Sequence, residues 1–262
     1  MRICPLLPIL LALGLAGTRL SAAAGGGAIP CTPEKSVAAP TSPGALGRLA
    51  RRCNQVEGQL PGGNPEPLQP DREVVPSLHV TTGDRSAARF ALGKTMAATL
   101  ILGSQSSFLF RPGLFSAAGE IEKFDLLIEW GKLRWAATPQ WADKKPRTTL
   151  LGVAPHEVYI ETKAAKMVLH GTDVYLTVDR ESGVTVLYVA EGDVEVTGAA
   201  GRTVRVTSGQ WTSVAPGEPP RPAEPFDAAT ASLSPVAGGP AFHAAVEDPF
   251  FDLRNPRLDL PR

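Results

Sequence analysis

Charge of one sign is what this chain most plainly lacks. Lys+Arg number 26 and Asp+Glu 26 over 262 residues. The balance removes the basic footprint from which nucleic-acid binders draw affinity by neutralising phosphates, so no nucleic-acid partner is expected. Histidine is sparse as well. His79, His156, His170 and His243 show no metal-ligand spacing, so neither a metal nor a cofactor is expected. "GSQSS" (103–107) lacks the last glycine of a nucleophile elbow. The acids Glu120, Glu122, Asp125 and Glu129 read as a solvated strand or turn face rather than a glycosidase pair. No catalytic residue is therefore assigned. A hydrolase is the third-ranked reading and requires two carboxylates or a Ser–His pair converging in one cleft.

Long apolar runs are missing beyond the N-terminus. Arg2, the stretch "CPLLPILLALGLAG" (4–17) and the small residues after Arg19 form a secretory signal, with cleavage expected after Ala23 or Ala24. A bilayer-spanning helix needs about 20 apolar residues, and Arg19 interrupts too soon. The mature chain is thus expected to be periplasmic or secreted, with no integral membrane segment. Cysteine is scarce too, and cleavage would leave only Cys31 and Cys53. In an oxidising compartment the two are expected to form a disulfide, stabilising the fold by about 3 kcal/mol in the chain-entropy model.

Glycine and proline divide the rest. They make up 17 of the 55 residues from 22 to 76 and 13 of the 48 from 215 to 262, against 17 of 138 between. Four zones follow: signal peptide 1–24, a Pro/Gly-rich segment 25–76, a β-domain 77–217 and a Pro-rich tail 218–262. The flanks read as disordered. One exception is "PGALGRLARRCNQV" (43–56), where Leu46, Leu49, Cys53 and Val56 recur every three or four residues and predict a short amphipathic helix.

The central zone reads as strands throughout: 77–82, 98–103, 106–112, 124–131, 132–137, 156–162, 165–171, 172–179, 184–192, 193–198, 203–209 and 210–217. Short β-branched and aromatic runs separated by Gly or polar turns indicate an all-β fold, a short-stranded sandwich or a solenoid-like domain. In "IETKAAKMVLHGTDVYLTVD" (160–179), the small Ala164 and Ala165 allow a tight corner, and Gly171 permits a backbone that a Cβ would forbid. The Thr172 hydroxyl can bond a nearby turn group. Val174, Leu176 and Val178 share one face, and Tyr175 lies on the other. Gly192 and Gly209 read as bulge or corner positions.

The stretch "VYIETKAAKMVLHGTDVYLTVDRESGVTVLYVAEGDVEV" (158–196) resembles the FecR domain, named for the periplasmic regulator of ferric-citrate transport. The likeness is carried by Thr162, Ala165, Gly171-Thr172, the run 174–178, the run 185–189, and Gly192 with Val194. It continues into the closing "TVRVTSGQWTSVAPGEPP" (203–220) and covers roughly 81–220. His170 stands where that family often carries a basic residue. The ferric-citrate type adds a cytoplasmic sigma-factor segment and a transmembrane helix, where this chain starts with a cleavable signal. The resemblance therefore implies an exported β-domain presenting a surface to something else, without anti-sigma activity.

The expected function is non-enzymatic binding of a protein or envelope ligand, in signalling or surface assembly. The alternative is a carbohydrate- or cell-wall-binding module that grips an envelope polysaccharide through aromatics. Trp141, Tyr175, Phe250 and Phe251 are the candidate contact residues. Core packing is the expectation for Trp130 and Trp135.

Overall fold

The computed structural model describes residues 31–33, 37–93, 98–115, 121–137, 148–149, 152–153 and 157–226. Its first strands are β1 Gly47–Cys53, β2 Val56–Gln59, β3 Glu66–Pro67, β4 Glu73–Val74, β5 His79–Thr82 and β6 Ala87–Leu92. Next come β7 Ala98–Leu102, β8 Ser106–Phe110, β9 Leu114–Phe115, β10 Ile121–Ala137, β11 Thr148–Thr149 and β12 Gly152–Val153. The series ends with β13 Glu157–Glu161, β14 Lys166–Val178, β15 Thr185–Thr197, β16 Thr203–Thr207, β17 Gln210–Val214 and β18 Glu224–Pro225. A single short 3-10 turn, Ala199–Gly201, is the only helix among the described residues. The protein is all-β.

Hydrogen bonds show that the long strands fold back on themselves. Thr162 Oγ1 and Thr185 Oγ1 are 2.8 Å apart, so the start of β15 touches the turn between β13 and β14. The other end of β15 reaches the same turn, because Thr197 pairs with Lys166. A straight strand of 13 residues would hold its ends roughly 40 Å apart at ~3.3 Å per residue. β15 must bend, and it does so at Gly192, where φ is +84°. β14 bends beside it through a bulge between His170 and Asp173, at Gly171-Thr172. Asn54, Arg85, Gln105, Gly131 and Gly209 also have left-handed backbone, and Gly131 lies within β10.

Two layers result. One contains β2, β5, β8, the first half of β10, β13, the first half of β14, the second half of β15, and β16. The other contains β1, β6, β7 and the remaining halves of β10, β14 and β15, with β17 and β18. Strand alternation sends Phe124, Ile160 and Leu169 inward from the first, and Trp135, Val174 and Leu187 inward from the second. Each fully buried apolar side chain of this size stabilises by roughly 1.5–3 kcal/mol.

Two expectations for the N-terminal zone are overturned. The segment predicted as a helix is strand β1, paired antiparallel with β6. A register shift between Leu49 and Arg51 breaks its two-residue alternation. The buried residues Leu46, Leu49, Cys53 and Val56 therefore recur at spacings that imitate a helix. Nor is the whole of 25–76 a structureless flank: it supplies four strands and the core residues Leu68 and Val74. Its prolines and glycines mark turns and close approaches. Gly58, for example, leaves no room for a Cβ beside the Leu68 side chain. The expected disulfide between Cys31 and Cys53 is formed, and it ties the chain to the end of β1 next to the Thr32–Arg52 hydrogen bonds.

At the β4 edge, Glu73 anchors the entering chain. Its Oε1 accepts from Thr41 N at 2.7 Å, Thr41 Oγ1 at 3.0 Å and Arg48 Nη2 at 2.8 Å. Bonds from the Ser42 side chain, then from Thr41, pull its pKa from 4.5 down to about 2. A lowered carboxylate contributes stability that is present above its unfolded pKa and lost as pH falls through the folded one. Glu73→Gln should therefore destabilise by about 1–2 kcal/mol at pH 7, since partial exposure screens the larger shift. Urea titrations of both proteins should converge as pH drops from 4.5 toward 2. A gap that stays constant with pH would refute the carboxylate's role.

Candidate interaction surfaces

The residues of the central motif do architectural work. Thr162 is buried, and its Oγ1 accepts from Ala164 N and Ala165 N at 3.2 and 3.0 Å. It thereby closes the β13–β14 turn and, through Thr185, latches it to the other layer. Asp179 closes the next turn by accepting from Ser182 N and Ser182 Oγ at 2.8 and 2.6 Å. Those Ser182 bonds hold its carboxyl below the ordinary range. Gly209 lies in the turn just before β17, and its N–H donates to Val189 O. Thr172 departs from expectation: it is buried at 1% exposure, but its hydroxyl bonds no turn group among the described residues.

A Ser–His–carboxylate group does converge, at the β5–β8–β10 junction. His79 Nε2 lies 2.8 Å from Ser107 Oγ and 3.2 Å from Glu129 Oε2. Ser107 Oγ donates to that same carboxylate oxygen at 2.6 Å. In a nucleophilic relay the carboxylate orients the base through its other ring nitrogen; here one nitrogen meets both groups. Ser107 is also 0% exposed, so no substrate atom reaches its oxygen. The trio works as a cross-strand polar clasp. Among the described residues, no group of three or more His, Cys, Asp or Glu could hold a metal ion.

The outer face of the second layer is ordered by register. Ile101, Arg134, Tyr175, Tyr188 and Trp211 stand side by side on β7, β10, β14, β15 and β17. Tyr175 was expected to be a contact residue, yet it is only 3% exposed. Alternation does place it away from the core. That side, however, carries a second apolar cluster of Ile101, Tyr175, Val186 and Tyr188, with Trp211 and Phe226 against it. The Arg134 guanidinium lies 4.8 Å from the Tyr175 ring, and Tyr188 stacks on Trp211 at 6.1 Å. Burial pushes the Tyr188 phenol up. Arg134 holds Asp173 in a bidentate pair, Nε–Oδ1 3.0 Å and Nη2–Oδ2 2.6 Å. Trp135 is fully buried in the core, as expected, while Trp130 is half-buried under Arg180.

The first layer presents a polar outer face instead. Arg111 bridges Glu161 and Asp125 at 2.6 and 3.6 Å. Lys123 covers the Tyr159 ring, whose phenol is pushed up to about 12, first by its hydrogen bond to Glu157. His170 is exposed. At the edge of this layer, β16 borders a groove of about 770 Å³ whose opposite wall is the segment 218–223. Sequence reasoning identified β16 as a strand but missed this edge. A signal was present in the prolines at 219, 220 and 222, which cannot donate to a neighbouring strand.

Trp141, Phe250, Phe251 and the signal segment 1–24 lie outside the described residues. Among the described residues, no helix is long and apolar enough to cross a membrane.

No family model matches the chain, and no curated protein matches it. Two crystal structures from Parabacteroides distasonis, each provisionally described as an anti-sigma factor, are similar in part. The first is 14% identical with a TM-score of 0.43, covering 59% of this chain and 64% of that one. The second is 13% identical with a TM-score of 0.45, covering 65% and 73%. This chain thus spans less than two thirds of the first neighbour's length.

Proposed function

We propose that this chain is an exported, non-enzymatic β-domain of the FecR kind, which binds a protein partner in envelope signalling from the periplasm or outside the cell. One observation carries the reading. The chemically capable groups are engaged with each other, as in the Ser107–His79–Glu129 clasp, whose serine is buried, and the buried Arg134–Asp173 pair, while among the described residues no strand pairs with the outer edge of β16. A frame of this kind offers backbone and surface rather than a reaction centre. The corner at Thr162, Gly171-Thr172, Gly192 and Gly209 supports the FecR likeness, because these motif positions hold the layers in register.

The test is residue-specific crosslinking of the full chain in its native envelope, followed by mass spectrometry. The expected product is a discrete adduct with one protein. Adducts confined to polysaccharide would overturn this reading in favour of the carbohydrate-binding alternative.

A further inference from the structure

The two layers end differently on the side of β16 and β17. In the second layer the chain itself covers the edge: Arg221 N donates to Ser213 O, and β18 pairs with Gln210 and Trp211 of β17. In the first layer β16 is the last strand among the described residues, where it pairs only with β15. Gly198 N donates to Arg202 O, and Ser208 N donates to Gly192 O, so the even-numbered residues of β16 point at β15. Thr203, Arg205 and Thr207 then direct their N–H and C=O groups outward. Thr207 N is taken by Gln210 Oε1 at 2.9 Å. Thr203 and Arg205 face the groove. Pro219, Pro220 and Pro222 on the far wall have no N–H with which to pair. Natural sheets normally cover or blunt such an edge.

The groove is also charged. Arg202, Arg205 and Arg221 line it against a single acid, Glu218. Arg205 is tied to Asp193 at 3.0 Å, while Arg202 and Arg221 have no ion-pair partner among the described residues. Val204 and Ala223 at the groove pack against the core, so the floor is apolar.

We infer that β16 accepts an extended acidic segment of a partner protein as an added strand, paired to Thr203 and Arg205 and held by Arg202 and Arg221. This deepens the protein-binding reading and rests on it. Backbone pairing would supply affinity, and the arginines would choose acidic over basic strands.

The probe is a (Glu-Val)5 peptide added to the full chain at low salt, with amide exchange followed residue by residue. Exchange at Thr203 and Arg205 should slow by about tenfold or more. A peptide N-methylated throughout, or a (Lys-Val)5 peptide, should bind at least about tenfold more weakly, as should the Arg202→Glu/Arg221→Glu variant toward (Glu-Val)5. Three outcomes would each overturn the inference: equal binding of the methylated peptide, protection confined to other strands, or equal protection by polygalacturonate. The methylated peptide tests the wild-type chain, so the result stands even if the variant folds poorly. A protein crosslinked only to residues far from β16 would refute the strand addition while leaving the protein-binding function intact.

Discussion

Replacing Gly131 by alanine should destabilise the protein by about 3–5 kcal/mol, among the largest effects of any single change. Two penalties combine at this position. Its φ of +115° is one that side chains rarely adopt. An added Cβ would also overlap the backbone Cα and the side chain of Ser106. Ser106 has nowhere to go. Its N–H donates to Thr82 Oγ1 at 2.9 Å, its Oγ accepts from Lys132 N at 3.0 Å, and Thr82 Oγ1 donates to Gly103 O at 2.6 Å. These bonds satisfy backbone groups that the corner takes out of the ladder. Gly62 supplies the control. Its φ is +73° and an added methyl would meet nothing within 4 Å, so Gly62→Ala should cost about 1 kcal/mol. Chemical denaturation of both variants separates conformational strain from the clash. Equal losses would show that the corner at Gly131 is not sterically closed.

That corner also marks where the sequence was readable. Strand pairs separated at 131/132, 171/172 and 192/193 are each one bent strand, β10, β14 and β15, and the separations fall on the bend. Glycine at the bend and aliphatic alternation on both sides carry that information locally. The arrangement of the halves in two layers depends on contacts such as Thr162–Thr185, between residues 23 apart, which no local pattern reveals. β6 was missed because "AARFAL" has no β-branched residue and owes its conformation to strands on both sides. In β1 a bulge disguised the period. Tyr175 was placed on the correct face, but alternation gives only the direction of a side chain. It cannot say that a second cluster of Val186 and Tyr188 stands there instead of water.

The same outer face sets the second large effect. Arg134→Met should cost about 3–5 kcal/mol at pH 7, because it leaves the Asp173 carboxylate buried without its cation. Burial already pushes the Asp173 carboxyl up, opposed by its hydrogen bond to Arg134 and reinforced by Glu191. Removing the guanidinium leaves the upward pushes unopposed. For an acid raised in the folded state, the stability contribution is complete below the unfolded pKa and disappears as pH rises through the folded one. The variant should therefore lie nearest the wild type around pH 4 and fall furthest behind above neutrality. Arg134→Met/Asp173→Leu should recover more than half of the loss, since apolar groups of similar size can replace a buried pair. Urea titrations of the three proteins from pH 4 to 8 make the decision. A penalty independent of pH would mean that Arg134 acts through packing on the Tyr175 ring, 4.8 Å away, rather than through its charge. The pH-dependent result would instead make Arg134–Asp173 the electrostatic pin that fixes the register of β10 against β14 and, through Tyr175 and Tyr188, the position of β17. The β16 edge would then depend on it too, because β16 leads directly into β17 and lies beside the same strand β15.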